Sequence, residues 1–389
     1  MGVTAIRPGV FTTVQDLGRF GYLGSGFSPS GVMDKRAMRT ANLLVDNDEN
    51  APVLEFCLGG PTLRFTTTTV IATTGADFAA TLDGAPLPRN QAVVVKRGQV
   101  VSFTAPMKGV YGYLAVAGGS FAIEPVMGSA STNLKCHLGG WQGRRLETGD
   151  YLPFSVRAID YLENLDSHVL QDADDFYEFD NPEITLRVVP GPQENLFTPA
   201  GIDTFYGQAF SVTSKCDRMG YRLDGPEVET DHGSDIISDG IAFGAVQIPK
   251  QGRPIIMLVD RQTTGGYAKI GTVASVDIPK LVQSPAGRRI RFTPVSVQEA
   301  QELYREEETH MKALQKMVRR PSYGGISPRK TARRLTPILE EQAKKAKTES
   351  EALWVQSDTH LHADRNPDIV RRRQQAAQLA QQQQQQQQQ

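Results

Sequence analysis

Net charge is nearly absent from this sequence. Over 389 residues, 42 Lys and Arg face 43 Asp and Glu, a formal charge of −1. So neutral a chain gives no global electrostatic reason to bind nucleic acid or a membrane surface. Cysteine is scarce. Cys57, Cys136 and Cys216 are odd in number and lack CxxC spacing, which argues against a disulfide framework and against a zinc site. They read as reduced, mostly buried thiols, because a free cysteine packs like a small hydrophobe, and a cytoplasmic location fits them. No apolar run approaches the roughly 20 residues of a membrane-spanning helix. The opening MGVTAIRPGV has no apolar signal core. Ile6 stands where a myristoylation signal takes Ser or Thr.

What is present is β chemistry. The length exceeds one ordinary core. Residues 1–156 form a first β-rich part, with LRFTTTTVIATTG and AVVVKRGQVVSFTAP divided by LDGAPLPRN and KRGQ turns. A second β-rich part spans 183–296. Many short strands at close spacing predict barrels or sandwiches rather than βαβ units. One early helix is expected in MDKRAMRTANLLV. Asp34 is its N-cap, with Ala37, Met38, Ala41, Leu44 and Val45 at helical spacing. The acidic, Asn-Pro-ended segment 157–182 reads as a connector. Apolar residues at 297, 300, 303, 304, 311, 314, 317 and 318 predict an amphipathic helix over 297–318. The basic, Gln-rich stretch 319–389 lacks the apolar content of a folded unit and reads as a disordered tail. RNA binding by its basic clusters is the sharper and less favoured alternative.

Four stretches mix glycine with polar groups beside apolar runs. In TTVQDLGRFGYLGSGFSPSGVMD (12–34), Asp16, Arg19 and Ser28 are candidate ligand contacts, and a plain glycine-rich surface loop is the alternative. It is neither a Walker loop nor a GxGxxG turn. In VMGSASTNLKCHLGGWQGRRLETGD (126–150), Ser129, Ser131 and Thr132 sit at a turn that can hold an anion. His137 has no identifiable partner for a Ser-His-Asp triad. In SKCDRMGYRLDGP (214–226), Arg218 and Arg222 can grip a carboxylate or phosphate, or line a solvated strand edge. GAVQIPKQGRPIIMLVDRQTTGGYAKIGTV (244–273) reads as strand, turn, strand, a Thr-Thr-Gly-Gly turn, then strand. Asp260, Thr263, Thr264, Gly265, Gly266, Tyr267 and Lys269 would gather at a barrel rim, as an oxyanion cradle requires. An ordinary hairpin tip is the alternative.

Taken together, these stretches resemble one family over about residues 3–295, that of the 5-oxoprolinase C-type subunits, allophanate hydrolase subunit 2 and biotin-dependent carboxyltransferases. The resemblance implies cyclophilin-like β-barrels and a mainly β chain with a few short helices. It implies ATP-dependent opening of 5-oxoproline to glutamate, with a B-type subunit of related fold and an A-type lactam hydrolase as partners. ATP is then a co-substrate of the complex. The second function it implies is a carboxyltransferase component. The sequence has no biotinylation motif, so biotin would arrive in trans on a partner. A non-catalytic regulatory role is a third. No metal site is identified. Asp260, Lys269 and Arg218 are the expected catalytic residues, with Asp260 orienting Lys269 across the Thr-Thr-Gly-Gly turn. Asp16, Arg19, Ser129, Ser131, Thr132, Arg222, Gln247, Thr263, Thr264, Gly265, Gly266 and Tyr267 are the expected substrate contacts. The chain departs from the family pattern at Asp217, where Asn is usual, and at Ala130, where Arg is usual. Both departures are expected to weaken anion binding if they lie at the site.

Overall fold

The computed structural model describes residues 1–155, 165, 168–170 and 173–318. The described residues fall within one compact unit, Met1–Gly324. Eleven strands precede residue 154: β1 (Gly2–Arg7), β2 (Phe11–Gln15), β3 (Val53–Cys57), β4 (Thr62–Phe65), β5 (Thr69–Asp77), β6 (Thr81–Leu82), β7 (Ala85–Pro86), β8 (Ala92–Val95), β9 (Val100–Ser102), β10 (Lys108–Val116) and β11 (Tyr151–Pro153). They form two antiparallel sheets, ordered β11-β1-β4-β9-β6-β7 and β2-β3-β10-β5-β8. Side chains alternate faces along a strand, and the second sheet uses both faces. Leu114 and Val116 of β10 join the core facing the first sheet, with Val3, Leu54 and Phe65. Tyr113 and Ala115 face the other way, into a core shared with the helix that follows β2 and with the later strands.

That helix, α1 (Lys35–Leu44), begins where the sequence predicts. The Asp34 carboxylate caps it, accepting from the Ala37 amide at 2.9 Å. Its apolar face, Ala37, Met38, Ala41 and Leu44, is fully buried.

Nine more strands follow residue 182: β12 (Glu183–Pro190), β13 (Phe210–Val212), β14 (Gly220–Asp224), β15 (Asp235–Gly240), β16 (Ala245–Gln247), β17 (Ile255–Met257), β18 (Thr264–Tyr267), β19 (Lys269–Val273) and β20 (Arg289–Pro294). Seven close a barrel in the order β12-β19-β16-β17-β14-β13-β20. Ile184, Leu186 and Val188 alternate inward on β12 and meet Phe210, Ile256, Ile270 and Phe292. Closure comes from a parallel pairing of β12 with β20, from Glu183↔Arg289 to Val188↔Pro294. Two short helices, α2 (Pro199–Gly207) and α3 (Ile278–Val282), lie among these strands. The remaining two, β15 and β18, form a separate ribbon.

The expected C-terminal helix, α4 (Val297–Val318), is present. Its buried line is narrower than the predicted stripe: Met311 and Val318 are buried, while Val297, Tyr304 and Met317 are exposed. Charge does the rest of the docking, through Arg36–Glu307 and Arg39–Glu308 between α1 and α4. The basic, Gln-rich stretch 319–389 lies outside the described residues, as do parts of 157–182. Within the described part of 157–182, Leu165, Leu170 and Tyr177 are buried, Tyr177 against Asp34. No helix among the described residues is long and apolar enough to cross a membrane.

Candidate functional site

The polar residues singled out in the sequence fall into three places. The first is buried and bonded largely within the chain, with one Arg19 Nη left without a partner. The turn at 129–131 does hold an anion, but the anion is the chain's own Asp16. Its carboxylate accepts from the Ser129 hydroxyl (2.7 Å), the Ala130 amide (2.6 Å), the Gly18 amide (2.8 Å) and the Ser131 hydroxyl. Arg19 donates to the Val126 and Ser131 carbonyls at 3.0 and 2.9 Å, and Thr132 to the Val14 carbonyl. All five side chains are buried. The cluster fastens β2 to a turn more than a hundred residues away. Ala130 sits inside it, so this departure falls on a packed methyl.

The second place is the junction of the sheets with the barrel. Arg218 is buried between two carboxylates. Its Nε donates to Asp260 at 2.7 Å, one Nη to Glu55, and the other to the Gly31 carbonyl at 2.7 Å. Glu55 also accepts from the Met33 amide (2.7 Å) and the Tyr113 hydroxyl (2.8 Å). Tyr113 in turn accepts from the Asp34 amide, and Asp34 accepts from the Gln283 amide group. Burial works against the Arg218 charge, but Asp260 and Glu55 more than offset it and hold its proton harder than usual. Burial pushes Glu55 up, with Arg218 opposing. Asp217 accepts from the Met219 and Gly220 amides at 2.8 and 3.1 Å. An acceptor is all that turn uses, so a carboxylate serves where Asn is usual. A mostly apolar cavity of about 520 Å³ opens beside this network, lined in part by Ser28, Asn133, Tyr111, Tyr221 and Asp260.

Asp34 makes this junction pH-sensitive. Burial raises its carboxyl from the usual 3.8 to about 6, against opposing hydrogen bonds from Ala37, Gln283 and Tyr177 and the Arg36 charge. The folded group keeps its proton to a higher pH than the unfolded one. Its contribution to stability is therefore complete below the unfolded value and is lost as pH rises through the folded value. Asp34→Asn retains a capping oxygen and removes the titration. Urea unfolding followed from acid to neutral pH should show the variant losing less stability than the wild type as pH rises towards 6. Parallel curves would refute it.

The third place is open. At the mouth of the barrel, β14, β16, β17 and β18 border a cavity of about 430 Å³ lined by Arg222, Gln247, Gln251, Arg253, Gln262 and Tyr267. Gln247 is 3% exposed, and its Nε2 has no hydrogen-bond partner. A buried Nη of Arg253 is likewise unpartnered, while its Nε pairs with Asp224 at 3.2 Å. A buried donor without an acceptor costs about 1–3 kcal/mol, so both atoms are free to take an oxygen acceptor. Gly265 makes the space: a Cβ there would stand 3.1 Å from Gln247 Nε2 and 2.7 Å from Ile241.

Around Gly265 the expected Thr-Thr-Gly-Gly turn is not formed. Thr264–Tyr267 is strand β18, paired with β15 through Asp239↔Gly265 and Gly240↔Thr264. These glycines serve close approach, not chain reversal. The Asp260–Lys269 partnership is not formed either. Asp260 belongs to Arg218, and Lys269 Nζ lies 3.2 Å from Asp239, a charge pair off the line of a good hydrogen bond. The Gly240 amide and Lys269 hold Asp239 below the usual carboxylate range. Thr263 is half-buried, and Thr264 and Tyr267 are exposed. Asp239, Arg253, Gln251 and Gln262 escaped the sequence reading. Ser-Asp-Gly and Lys-Gln-Gly-Arg-Pro look like ordinary turns, and only the strand pairing brings them to the mouth. Among the described residues no group of three or more His, Cys, Asp or Glu side chains could hold a metal ion.

A closed barrel with a polar, donor-rich mouth, locked to the second sheet by a buried ion-pair network, defines a mainly β protein. Comparison with known proteins makes the class specific. The family described as carboxyltransferase domain, subdomain A and B, matches residues 25–294, and the chain belongs to it. It is 38% identical to the C-type subunit of the Escherichia coli 5-oxoprolinase, over 79% of this chain and 96% of that protein. The urea amidolyase of Saccharomyces cerevisiae is 30% identical over 79% of this chain, which spans only 17% of that protein. Among solved structures, the K. lactis urea amidolyase superposes with a TM-score of 0.71 at 30% identity, covering 80% of this chain and 20% of that one.

Proposed function

We propose that this chain is the C-type subunit of an ATP-dependent 5-oxoprolinase and acts in the cytoplasm with a B-type partner of related fold and an A-type lactam hydrolase. The observation that carries the reading is the pair of orphaned donors, Gln247 Nε2 and Arg253 Nη, at the barrel mouth. 5-Oxoproline is a small ring bearing a carboxylate and a lactam carbonyl. Arg222 and Arg253 suit the carboxylate, since a guanidinium fork matches two oxygens, and Gln247 suits the carbonyl. In ring opening, water adds to the carbonyl carbon, the C–N bond breaks, and the nitrogen leaves with a proton. Negative charge develops on the carbonyl oxygen meanwhile. Preorganised donors lower that barrier, and Lys269 adds a cation beside them once Asp239 shares it. Arg218 and Asp260 act at one remove, fixing the strand end that precedes Thr263.

The chain's similarity to urea amidolyases supports a second reading, carboxyl transfer from biotin carried on a partner. A ureido carbonyl offers the same acceptor to Gln247. One experiment separates the two. Purified chain with its B- and A-type partners, ATP and 5-oxoproline should release glutamate, and the chain alone should not hydrolyse ATP in response to 5-oxoproline. Release of no glutamate by the full set, together with biotin-dependent carboxylation of urea in the presence of a biotin carboxylase, would transfer the assignment to the second reading.

A further inference from the structure

Two cations that do not line the barrel-mouth cavity lack a counter-ion among the described residues. The side chain of Lys35, the first residue of α1, makes no hydrogen bond or ion pair with any described residue. Its ammonium lies 5.7 Å from the centre of the Phe20 ring and 5.4 Å from that of Phe243. Arg261 is 5% exposed, and its guanidinium lies 5.8 Å from the same Phe243 ring. Its Nε and one Nη donate to the Ile241 and Leu258 carbonyls, which are neutral, and its second Nη makes no bond. The charges that reach Lys35 are those of Arg261 and Arg39, both of its own sign; with burial they push its ammonium below the usual lysine range. Burial pushes Arg261 down as well.

Buried cations are ordinarily paired, because removal from water is costly. Ring faces offset part of that cost, but they do nothing for the repulsion between two cations sharing one ring. The usual neighbours cannot supply an anion. Asp34 caps α1, and Asp260 is taken by Arg218. The rim is open: Phe20 is 63% exposed, and Gly21, Gly24 and Gly26 in the same loop have empty space where a side chain would be. Two unmatched positive charges suit a group of charge near −2 better than a single carboxylate, and a phosphate at neutral pH carries about −1.5 to −2.

We propose that Lys35 and Arg261, sharing the Phe243 ring and bordered by Phe20, form a phosphate-binding site distinct from the barrel-mouth cavity. The Arg261 Nη left unbonded and the Lys35 ammonium are its donors. The site does not depend on which reaction the barrel mouth serves.

The test follows the amine itself. The full-length protein is labelled at neutral pH with an amine-acylating reagent in sodium phosphate, pyrophosphate, acetate or chloride at matched ionic strength. Labelling of Lys35 is read by peptide mass spectrometry, with the exposed Lys250 as internal reference. At a phosphate concentration about ten times the dissociation constant, Lys35 should label about tenfold more slowly, with Lys250 unchanged. Pyrophosphate should act at lower concentration than phosphate if the natural ligand is a polyphosphate, and at equal concentration if it is a single phosphate group. No protection by either, or equal protection by acetate or chloride, overturns the proposal. Lys35→Met provides a second readout: phosphate should raise the melting temperature of the wild type and not of the variant. Equal rises in both would also overturn it.

Discussion

Arg218→Met should lower the stability of the fold by about 3–5 kcal/mol, the usual cost of leaving a buried charge without its partner. The substitution keeps the stem volume and removes the cation that Glu55 and Asp260 share. Glu55 is 1% exposed and cannot turn to water. Its remaining donors, the Met33 amide and the Tyr113 hydroxyl, do not neutralise a charge. The loss should appear as a lower urea midpoint with little change in slope. Adding Glu55→Gln should return part of it, because the stranded charge disappears, and this recovery separates electrostatics from lost packing. A single-variant loss below about 1 kcal/mol would mean that the network behaves like a surface pair.

Gln247→Leu should divide activity from stability. In the reconstituted complex, turnover should fall by about two orders of magnitude, roughly 2.7 kcal/mol of barrier, as for the loss of one preorganised donor. The free protein should be as stable as the wild type or more so, since the variant removes a buried donor that has no acceptor. A Leu variant that unfolds easily would give Gln247 a structural role. One that turns over normally would move the chemistry away from the barrel mouth.

The parts of this fold legible in the sequence are those governed by local rules. Asp34 as the cap of α1, the β character of both halves and the helix from Val297 all follow from spacing and composition. The barrel mouth was half legible. Arg222 and Tyr267 stand out by their setting and Gln247 only through the family resemblance, while Arg253 and Asp239 come into reach only through pairings that span tens of residues. The Asp16 cluster teaches the opposite lesson. Ser129, Ser131 and the Ala130 amide do form an anion-holding turn, as their pattern implies, but sequence alone cannot say whether the anion comes from outside or from another part of the chain. Lys269 and Asp260 failed as a pair for a related reason. Thr264–Tyr267 found a partner strand in Asp235–Gly240, and an expected bend became an extended ribbon.

The way the barrel closes has a consequence for synthesis. β12 has two neighbours, β19 and β20, and both come later in the chain. When β12 emerges from the ribosome, neither of its edges has anything to pair with until the end of the barrel segment is made, roughly 80–100 residues later. At about 5–20 residues per second, the apolar strand carrying Ile184, Leu186 and Val188 waits on the order of 4–20 s with both edges bare. The earlier sheets are complete before β12 is made, since every strand they need precedes residue 154. They can be in place first as a surface for the nascent strand, with the Tyr113 face of β10 already formed beside α1. Chaperone dependence in this protein should therefore fall within the interval between the translation of β12 and that of β20.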